Sequence, residues 1–196
     1  MKSAPKAKKL EIVRVGVLGA NGRMGEAVTR LIGGDARLAK GPVVSEGDSL
    51  SALKGADVVV DFSAPAATRE LAKLAAKARL PLVVGTTGLD RETEAALRAA
   101  AKKSPVFVSS NMSIGVYVLG RLVQQAEQML GASFDVEIVE VHHRKKADAP
   151  SGTAILLGDW LKRPRDLAHG RKGRPGPRPK EELGMHAVRG GDVIGD

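Results

Sequence analysis

The sequence predicts an α/β protein: a parallel sheet with helices on both faces, followed by a smaller α+β unit. Three observations carry that expectation. Short apolar runs alternate with helical stretches from Arg14 onward, a glycine-spaced turn joins the first run to the first helix, and the alternation changes character after Gly131. With 196 residues and 43% hydrophobic content the chain can bury a core, as one domain or two small ones.

Each element has its own signal. RVGVLG (14–19) reads as the first strand, and Met24, Ala27, Val28 and Leu31 then fall at i, i+3, i+4 and i+7, one face of a helix. A second strand is expected at about 37–45. DVVVDF (57–62) is the next, followed by a helix striped by Leu71, Leu74, Ala75 and Ala78. PLVVGT (81–86) precedes an Ala-rich helix over 90–103, and PVFVSS (105–110) precedes a helix over 114–130. FDVEIVEV (134–141) places Phe134, Val136 and Ile138 on one parity, as in a strand with one packed and one more polar face. A domain boundary is expected near Met112, giving domains over 1–112 and 113–196.

The formal charge of +9 is concentrated in two places. Residues 2–9 hold four Lys, and residues 162–180 hold eight Lys or Arg with one acid, Asp166; the remainder carries 19 basic and 21 acidic residues. This reads first as solvated, flexible charge, with an anion contact as the second reading. Aromatic residues for base stacking are nearly absent, so nucleic acid is not expected as a partner. The chain has no Cys, which removes disulfides and thiolate metal sites and fits a reducing compartment. MKSAPKAKKL carries no apolar signal region and no run is long enough for a bilayer, so a cytoplasmic protein without a membrane partner is expected.

The turn GANGRMG supplies Gly19, Gly22 and Gly25 between a strand and a helix start, where close backbone approach and free helix amides suit a pyrophosphate. The spacing is one residue longer than the commonest dinucleotide fingerprint. Glu46, 21 residues beyond Gly25 and near the end of the second strand, suits ribose hydroxyls. Three later loops fall on the same strand edge: DFSAP, GTTG (85–88) and SSNMSIG (109–115). Together these predict a Rossmann-type dinucleotide-binding domain.

EVHHRKKADAPSGTA (140–154) sets His142, His143, Arg144, Lys145 and Lys146 side by side, an arrangement that resists burial and suits a bound anion. His142 and His143 would point to opposite faces of a continuing strand, so both serve one site only if the chain leaves the sheet there. Pro150 favours a loop, and Ser151 reads as an N-cap with Gly152 and Thr153 opening a helix. A loop of cations beside a helix N-terminus suits a small substrate with more than one carboxylate. No metal is expected, since adjacent His on a strand rarely chelate together.

GANGRMG, DFSAP, VVGTTGL, SSNMSIGVYVL and above all EVHHRKKADAPSGTA make the chain, from about Arg14 to Asp196, similar to the dihydrodipicolinate reductase family. The resemblance implies NAD(P)H-dependent reduction of a small cyclic dicarboxylate in lysine and diaminopimelate biosynthesis. It makes His142 the acid/base residue, Lys146 the proton donor, His143 a substrate contact, and Gly152 with Thr153 the carboxylate-binding turn. It places the cofactor on Gly19, Ala20, Asn21, Gly22, Arg23 and Met24, on Gly85, Thr86 and Thr87, and on Ser109, Ser110, Asn111 and Met112. Glu46 without a neighbouring cation implies NADH preferred over NADPH. Two departures stand out: Lys145 replaces a His common at that place, and the second domain reads as truncated after VRGGDVIGD. A homotetramer is implied where the rest of that domain is present. A dinucleotide-binding regulator or inactive homologue is the alternative reading.

Overall fold

The computed structural model describes residues 12–161 and 165–196. The basic tail at residues 2–9, and Lys162 and Arg163 of the second basic segment, lie outside them. The chain divides into two compact units, Met1–Ser109 and Ser110–Asp196, so the division falls three residues before the boundary placed at Met112.

The first unit contains β1 (Val13–Leu18), α1 (Arg23–Gly34), β2 (Leu38–Val44), a 3-10 turn (Leu50–Gly55), β3 (Val58–Asp61), α2 (Pro65–Ala78), β4 (Leu82–Val84), α3 (Arg91–Ala101) and β5 (Val106–Val108). Its five strands run in the order β2-β1-β3-β4-β5, all parallel. The period of two in β1 and β3 decides which side chain meets which helix. Val15, Val17, Val58 and Val60 pack with Val28 and Ile32 of α1. Leu18 and Val59, with Leu82 and Val84, pack against Leu53, Leu71, Ala75 and Leu97 on the other face. Pro42 is tolerated because β2 is an edge strand. The order reverses at β1, whose neighbours are β2 on one side and β3 on the other, so the carboxyl ends of β1 and β3 form the switch point where such sheets take ligands.

Two helix faces differ from those read from the sequence. In α1 the buried residues are Gly25 and Ile32, while Met24 and Leu31 are 52% and 69% exposed. The cause is the approach of α1 to the glycine turn: a Cβ on Gly25 would stand 2.1 Å from the Gly19 carbonyl oxygen. With position 25 turned inward, Val28 and Ile32 follow it and Met24 and Leu31 turn out. In α2, which opens on Pro65, the buried set is Thr68, Leu71, Ala72 and Ala75, and Ala78 is exposed. A polar residue joins that face because the Thr68 hydroxyl donates to the buried Asp61 carboxylate at 2.6 Å. In α3 the Asp90 side chain caps the helix by accepting from Thr93 N at 2.7 Å.

The second unit contains α4 (Ile114–Leu130), β6 (Val136–His142), α5 (Gly152–Asp159), β7 (Asp166–Ala168) and β8 (Glu182–Arg189). Its sheet runs β6-β8-β7, with both pairs parallel. Phe134 lies outside β6 and is 54% exposed, so the inward parity is Val136, Ile138 and Glu140. Ala154, Leu183 and Met185 pack with Val136, Ile138 and Leu161 in a small core. The Trp160 ring lies on buried Gly120 of α4 and meets Tyr117 edge-on at 5.7 Å, and Gln124 Nε2 donates to the Trp160 carbonyl at 3.0 Å. Glu127 of α4 forms a buried ion pair with Arg165.

The basic loop is partly structural. Arg178 donates from Nε to Glu137 at 2.7 Å and from Nη1 to Asp135 at 2.8 Å, and its Nη2 bonds the carbonyls of Val136 and Glu182. Arg171 pairs with Glu182. These two cations fasten the loop to β6 and β8.

Leu71→Ala should lower unfolding stability by about 2–5 kcal/mol through the lost apolar contact and the cavity left behind. Leu31→Ala should change it by no more than about 0.5 kcal/mol. Urea unfolding of both variants measures the difference; comparable losses would put Leu31 back on the packed face of α1.

Candidate active site

At the carboxyl end of β1 the glycine turn is held to β2: the Val44 carbonyl accepts from Gly19 N at 2.9 Å and from Ala20 N at 3.3 Å. Gly19 is in the left-handed region (φ 81°), and a Cβ there would stand 2.4 Å from the Phe62 carbonyl oxygen. Gly22 is the N-cap of α1 and offers no side chain to its first amides, so those amides keep their capacity for an external acceptor. Asn21, Gly22, Arg23 and Met24 are exposed along this turn. Glu46 lies exposed two residues past β2, whose last carbonyl is the one bound by Gly19 and Ala20. Asp48 is occupied locally, accepting from Ser45 N at 2.9 Å.

The loops after β3 and β4 meet at a residue not singled out in the sequence. Asp61, fully buried, accepts from Ser63 N at 3.0 Å, Ser63 Oγ at 2.6 Å, Thr68 Oγ1 at 2.6 Å and Thr86 Oγ1 at 3.2 Å. Thr86 Oγ1 in turn accepts from Ser63 N at 3.1 Å, and Gly85 N donates to the Asp61 carbonyl at 2.8 Å. Gly85 is required by close approach, since a Cβ there would stand 2.1 Å from the Phe62 ring. Gly85 and Thr86 are thereby fixed, while Thr87 is exposed. Burial pushes the Asp61 carboxyl above its ordinary range and outweighs its four donors. Ser109 continues the first unit, its N–H donating to the Val84 carbonyl at 3.0 Å.

In the second unit Ser110 and Asn111 bond to the start of α5. Ser110 Oγ donates to the Gly152 carbonyl at 3.0 Å and Asn111 Nδ2 to Thr153 Oγ1 at 2.9 Å. Met112 is exposed beside them in sequence. Ser151 caps α5, its Oγ accepting from Ala154 N at 3.2 Å, which leaves the amides of Gly152 and Thr153 as the open ones of the first turn.

β6 ends at His142 and the chain turns, with Lys146 N donating to the His143 carbonyl at 3.1 Å. His142 is thus the last residue of β6, still paired with Arg189 of β8, and only His143 lies beyond the strand. The five nitrogen-bearing side chains are not all left to an external anion: His142 Nδ1 lies 2.6 Å from Glu140 Oε2, and Lys146 Nζ donates to both oxygens of Asp148 at 2.8 and 2.9 Å. His143 Nδ1 is buried and finds no partner among the described residues. A Cβ on Gly195 would lie 2.8 Å from His142 Nε2, so the Gly195 backbone lies close against that edge of the ring, where a side chain would not fit.

Glu140 and Arg189, both missed in the sequence, hold this site. Glu140 is 4% exposed and takes Arg189 Nη1 on Oε2 at 2.7 Å, Arg189 Nη2 on Oε1 at 2.8 Å and Ser151 N on Oε1 at 2.9 Å. Arg189 Nη2 also bonds the Asp148 carbonyl at 2.6 Å. The hydrogen bonds from Arg189 first, helped by His142 and Ser151 N–H against the cost of burial, hold the Glu140 carboxyl down at about 2. For Asp148 burial pushes upward, but Lys146 and Arg189 prevail and its carboxyl sits below the usual range. A signal for Glu140 was present: in EIVEV it shares the inward parity of Val136 and Ile138, where an acid needs a cation.

Asp61 gives a pH test. Its folded pKa is raised, so its contribution to stability is full below the ordinary carboxylate value of 3.8 and is lost as pH rises through the folded value. The stability gap between the native protein and Asp61→Asn should therefore narrow as pH rises from about 4 to 7. Urea unfolding across that range measures it; a gap that widens with pH would mean the four donors outweigh burial.

The chain matches two family models, described as dihydrodipicolinate reductase, N-terminus, over residues 13–112, and dihydrodipicolinate reductase, C-terminus, over residues 115–196. It is 39% identical over 191 residues to the 4-hydroxy-tetrahydrodipicolinate reductase of Campylobacter jejuni subsp. doylei, covering 94% of this chain and 77% of that protein. It is 42% identical over 213 residues to the enzyme of the same name from Anaeromyxobacter sp., covering 94% of this chain and 80% of that one. Among solved structures, dipicolinate-bound dihydrodipicolinate reductase from Paenisporosarcina sp. TG-14 superposes with a TM-score of 0.67 at 24% identity, covering 94% of this chain and 81% of that chain, and so shares its fold. Two consecutive family models that together take in nearly every described residue, and relatives alike along almost the whole chain, establish that it belongs to the dihydrodipicolinate reductase family.

Proposed function

We infer that the chain is an NAD(P)H-dependent 4-hydroxy-tetrahydrodipicolinate reductase that forms tetrahydrodipicolinate in lysine and diaminopimelate biosynthesis. The observation that carries the reading onto these residues is the second-unit cluster. It includes a histidine on a buried carboxylate, a lysine on an aspartate, open helix amides at the start of α5, and a second histidine whose buried Nδ1 has no partner among the described residues. An unpaired buried nitrogen costs about 1–3 kcal/mol, which a ligand that pairs it would offset.

The first unit fits a dinucleotide, because the close-packed Gly19 and Gly25 bring bare backbone to the start of α1 and Gly22 leaves its amides uncapped. Gly19, Ala20, Asn21, Gly22, Arg23 and Met24 would hold the pyrophosphate and Glu46 the adenosine ribose. Gly85, Thr86, Thr87, Ser109, Ser110, Asn111 and Met112 would hold the nicotinamide end. A reduced nicotinamide supplies the hydride when bound. The 4-hydroxyl of the substrate leaves as water, Lys146 donates the proton that accompanies the hydride, and Asp148 holds its ammonium in place. His142 exchanges protons at Nε2, His143 contacts the substrate, and the Gly152 and Thr153 amides bind a substrate carboxylate.

The domain over 1–112 thus serves the cofactor and that over 113–196 the substrate and oligomer contacts. A homotetramer is part of this reading, supported by the exposed Tyr117, Leu122 and Met129 of α4 and Val139 of β6. Cytoplasmic placement rests on the pathway; among the described residues no helix is long and apolar enough to cross a membrane.

NADH oxidation dependent on 4-hydroxy-tetrahydrodipicolinate tests the activity; its absence would favour a dinucleotide-binding homologue without turnover. Lys146→Ala should lower kcat by about 10²- to 10⁴-fold, and His142→Gln by a similar order, with NADH affinity nearly unchanged. His143→Ala should mainly raise the KM for substrate. Steady-state kinetics and NADH fluorescence titration separate these outcomes, and unchanged turnover in Lys146→Ala would remove it as donor.

NADH should be preferred over NADPH. A 2′-phosphate about 5 Å from Glu46 at an effective dielectric near 40 costs roughly 1.7 kcal/mol, somewhat more than tenfold in affinity. The ratio of kcat/KM for the two cofactors at equal low ionic strength measures the preference, and Glu46→Arg should shift it toward NADPH. A native ratio favouring NADPH would mean that a cation such as Arg23 or Lys40 dominates.

A further inference from the structure

One buried polar contact of the second unit, that of Glu140, is not among the groups assigned to the reaction. Glu140 and His142 are two residues apart on β6 and so share a face, and Arg189 is the direct cross-strand partner of His142 on β8. The carboxylate is filled from four directions: Arg189 Nη1 and His142 Nδ1 on Oε2, Arg189 Nη2 and Ser151 N–H on Oε1. Three of these four are obligate donors, since a guanidinium and a backbone amide have nothing else to offer. Only the imidazole can choose, and against a carboxylate it must donate.

We propose that Glu140 is a positioning residue for the reaction: it fixes His142 as the Nδ1–H tautomer, so that Nε2 is the nitrogen that exchanges protons, and through Ser151 it holds the start of α5 in the same frame. Arg189 is its anchor and prevents the carboxylate from turning away. Through the Asp148 carbonyl that Arg189 also binds, the same frame reaches the residue that holds Lys146. This rests on the role proposed for His142, and the charged groups bound around that ring among the described residues are Glu140 and Arg189, with Asp148 and Lys146 attached through Arg189.

The substitution Glu140→Gln tests it with a signature that a merely structural role would not give. The glutamine must place one oxygen and one NH₂ where two oxygens stood. The oxygen goes to the position of Oε1, where Arg189 Nη2 and Ser151 N–H both donate, and the NH₂ faces His142 Nδ1 and Arg189 Nη1, the latter keeping the Val188 carbonyl as acceptor. His142 Nδ1 must then accept, and the proton moves to Nε2, inverting the tautomer.

Long-range ¹H–¹⁵N spectra of the imidazoles, with His142 assigned by the loss of its signals in His142→Gln, should show Nδ1–H in the native protein and Nε2–H in Glu140→Gln. The variant's kcat should fall about 10²-fold or more, as expected when an acid/base histidine presents the wrong tautomer, while NADH affinity and the KM for NADH stay the same. Native protein with Nε2–H overturns the proposal without any variant being needed. A folded Glu140→Gln that keeps the native tautomer or native kcat overturns it as well. Failure of the activity itself is seen separately, as native protein without substrate-dependent NADH oxidation but with the expected tautomer.

Discussion

The burial of one charge, the carboxylate of Glu140, organises the second unit. An isolated carboxylate at that depth would be too costly to keep ionised, so it must gather donors from its surroundings. It draws one from its own strand, two from the neighbouring strand and one from the first residue before α5. Strand register therefore becomes site geometry: with His142 opposite Arg189, a slip of one residue between β6 and β8 would turn the arginine to the other face and leave the charge unpaired. Among the described residues the core of this unit is small, three buried apolar residues with Val136, Ile138 and Leu161 partly buried against them, and sets that register only in part. The polar frame and the Arg178 contacts between the basic loop and β6 share that task.

The first unit meets the same requirement differently. Asp61 ends β3 with its carboxylate buried, and its donors are hydroxyls and an amide with no cation among them. Neutral donors stabilise a buried charge less than a guanidinium does, which is why burial prevails at Asp61 and the hydrogen bonds prevail at Glu140. The consequence for position is nonetheless similar. Ser63 and Thr86 are locked to one carboxylate, so the loops that follow β3 and β4 keep a fixed spacing, and Gly85 admits the Phe62 ring beneath them.

The sequence made the element order legible because strand and helix periods differ and because glycine and proline mark the turns. Every strand of the first sheet lies within a few residues of its expected place. Helix faces were less legible. Apolar spacing selects Met24 and Leu31, yet α1 turns on Gly25, whose inward position is set by backbone contact with Gly19 and leaves no apolar mark. Thr68 was invisible for a related reason, since its place on the inner face depends on Asp61. Candidate residues adjacent in the chain could be named from sequence: the two histidines, Lys146 and the Ser151 cap in the second unit, and the glycine turn in the first. Arg189 was not, because it stands 49 positions from Glu140 and only the pairing of β6 with β8 brings them together.

A run of cationic side chains such as that from His142 to Lys146 repels itself, and a carboxylate partner on a member of it relieves the repulsion. Here the pairing is selective. Glu140 takes His142 at Nδ1, the nitrogen away from the ring edge that faces Gly195, and Asp148 takes Lys146, while Arg144 and Lys145 stay exposed. Preset orientation of this kind lowers the entropy lost when a ligand binds, because the side chains are ordered before it arrives. The carboxylates of Glu140 and Asp148 are therefore not competitors of an anionic ligand in the simple sense of charge. They fix where the positive groups stand, and the local excess of cations over acids in the turn from His142 to Lys146 still leaves a field that favours a dianion.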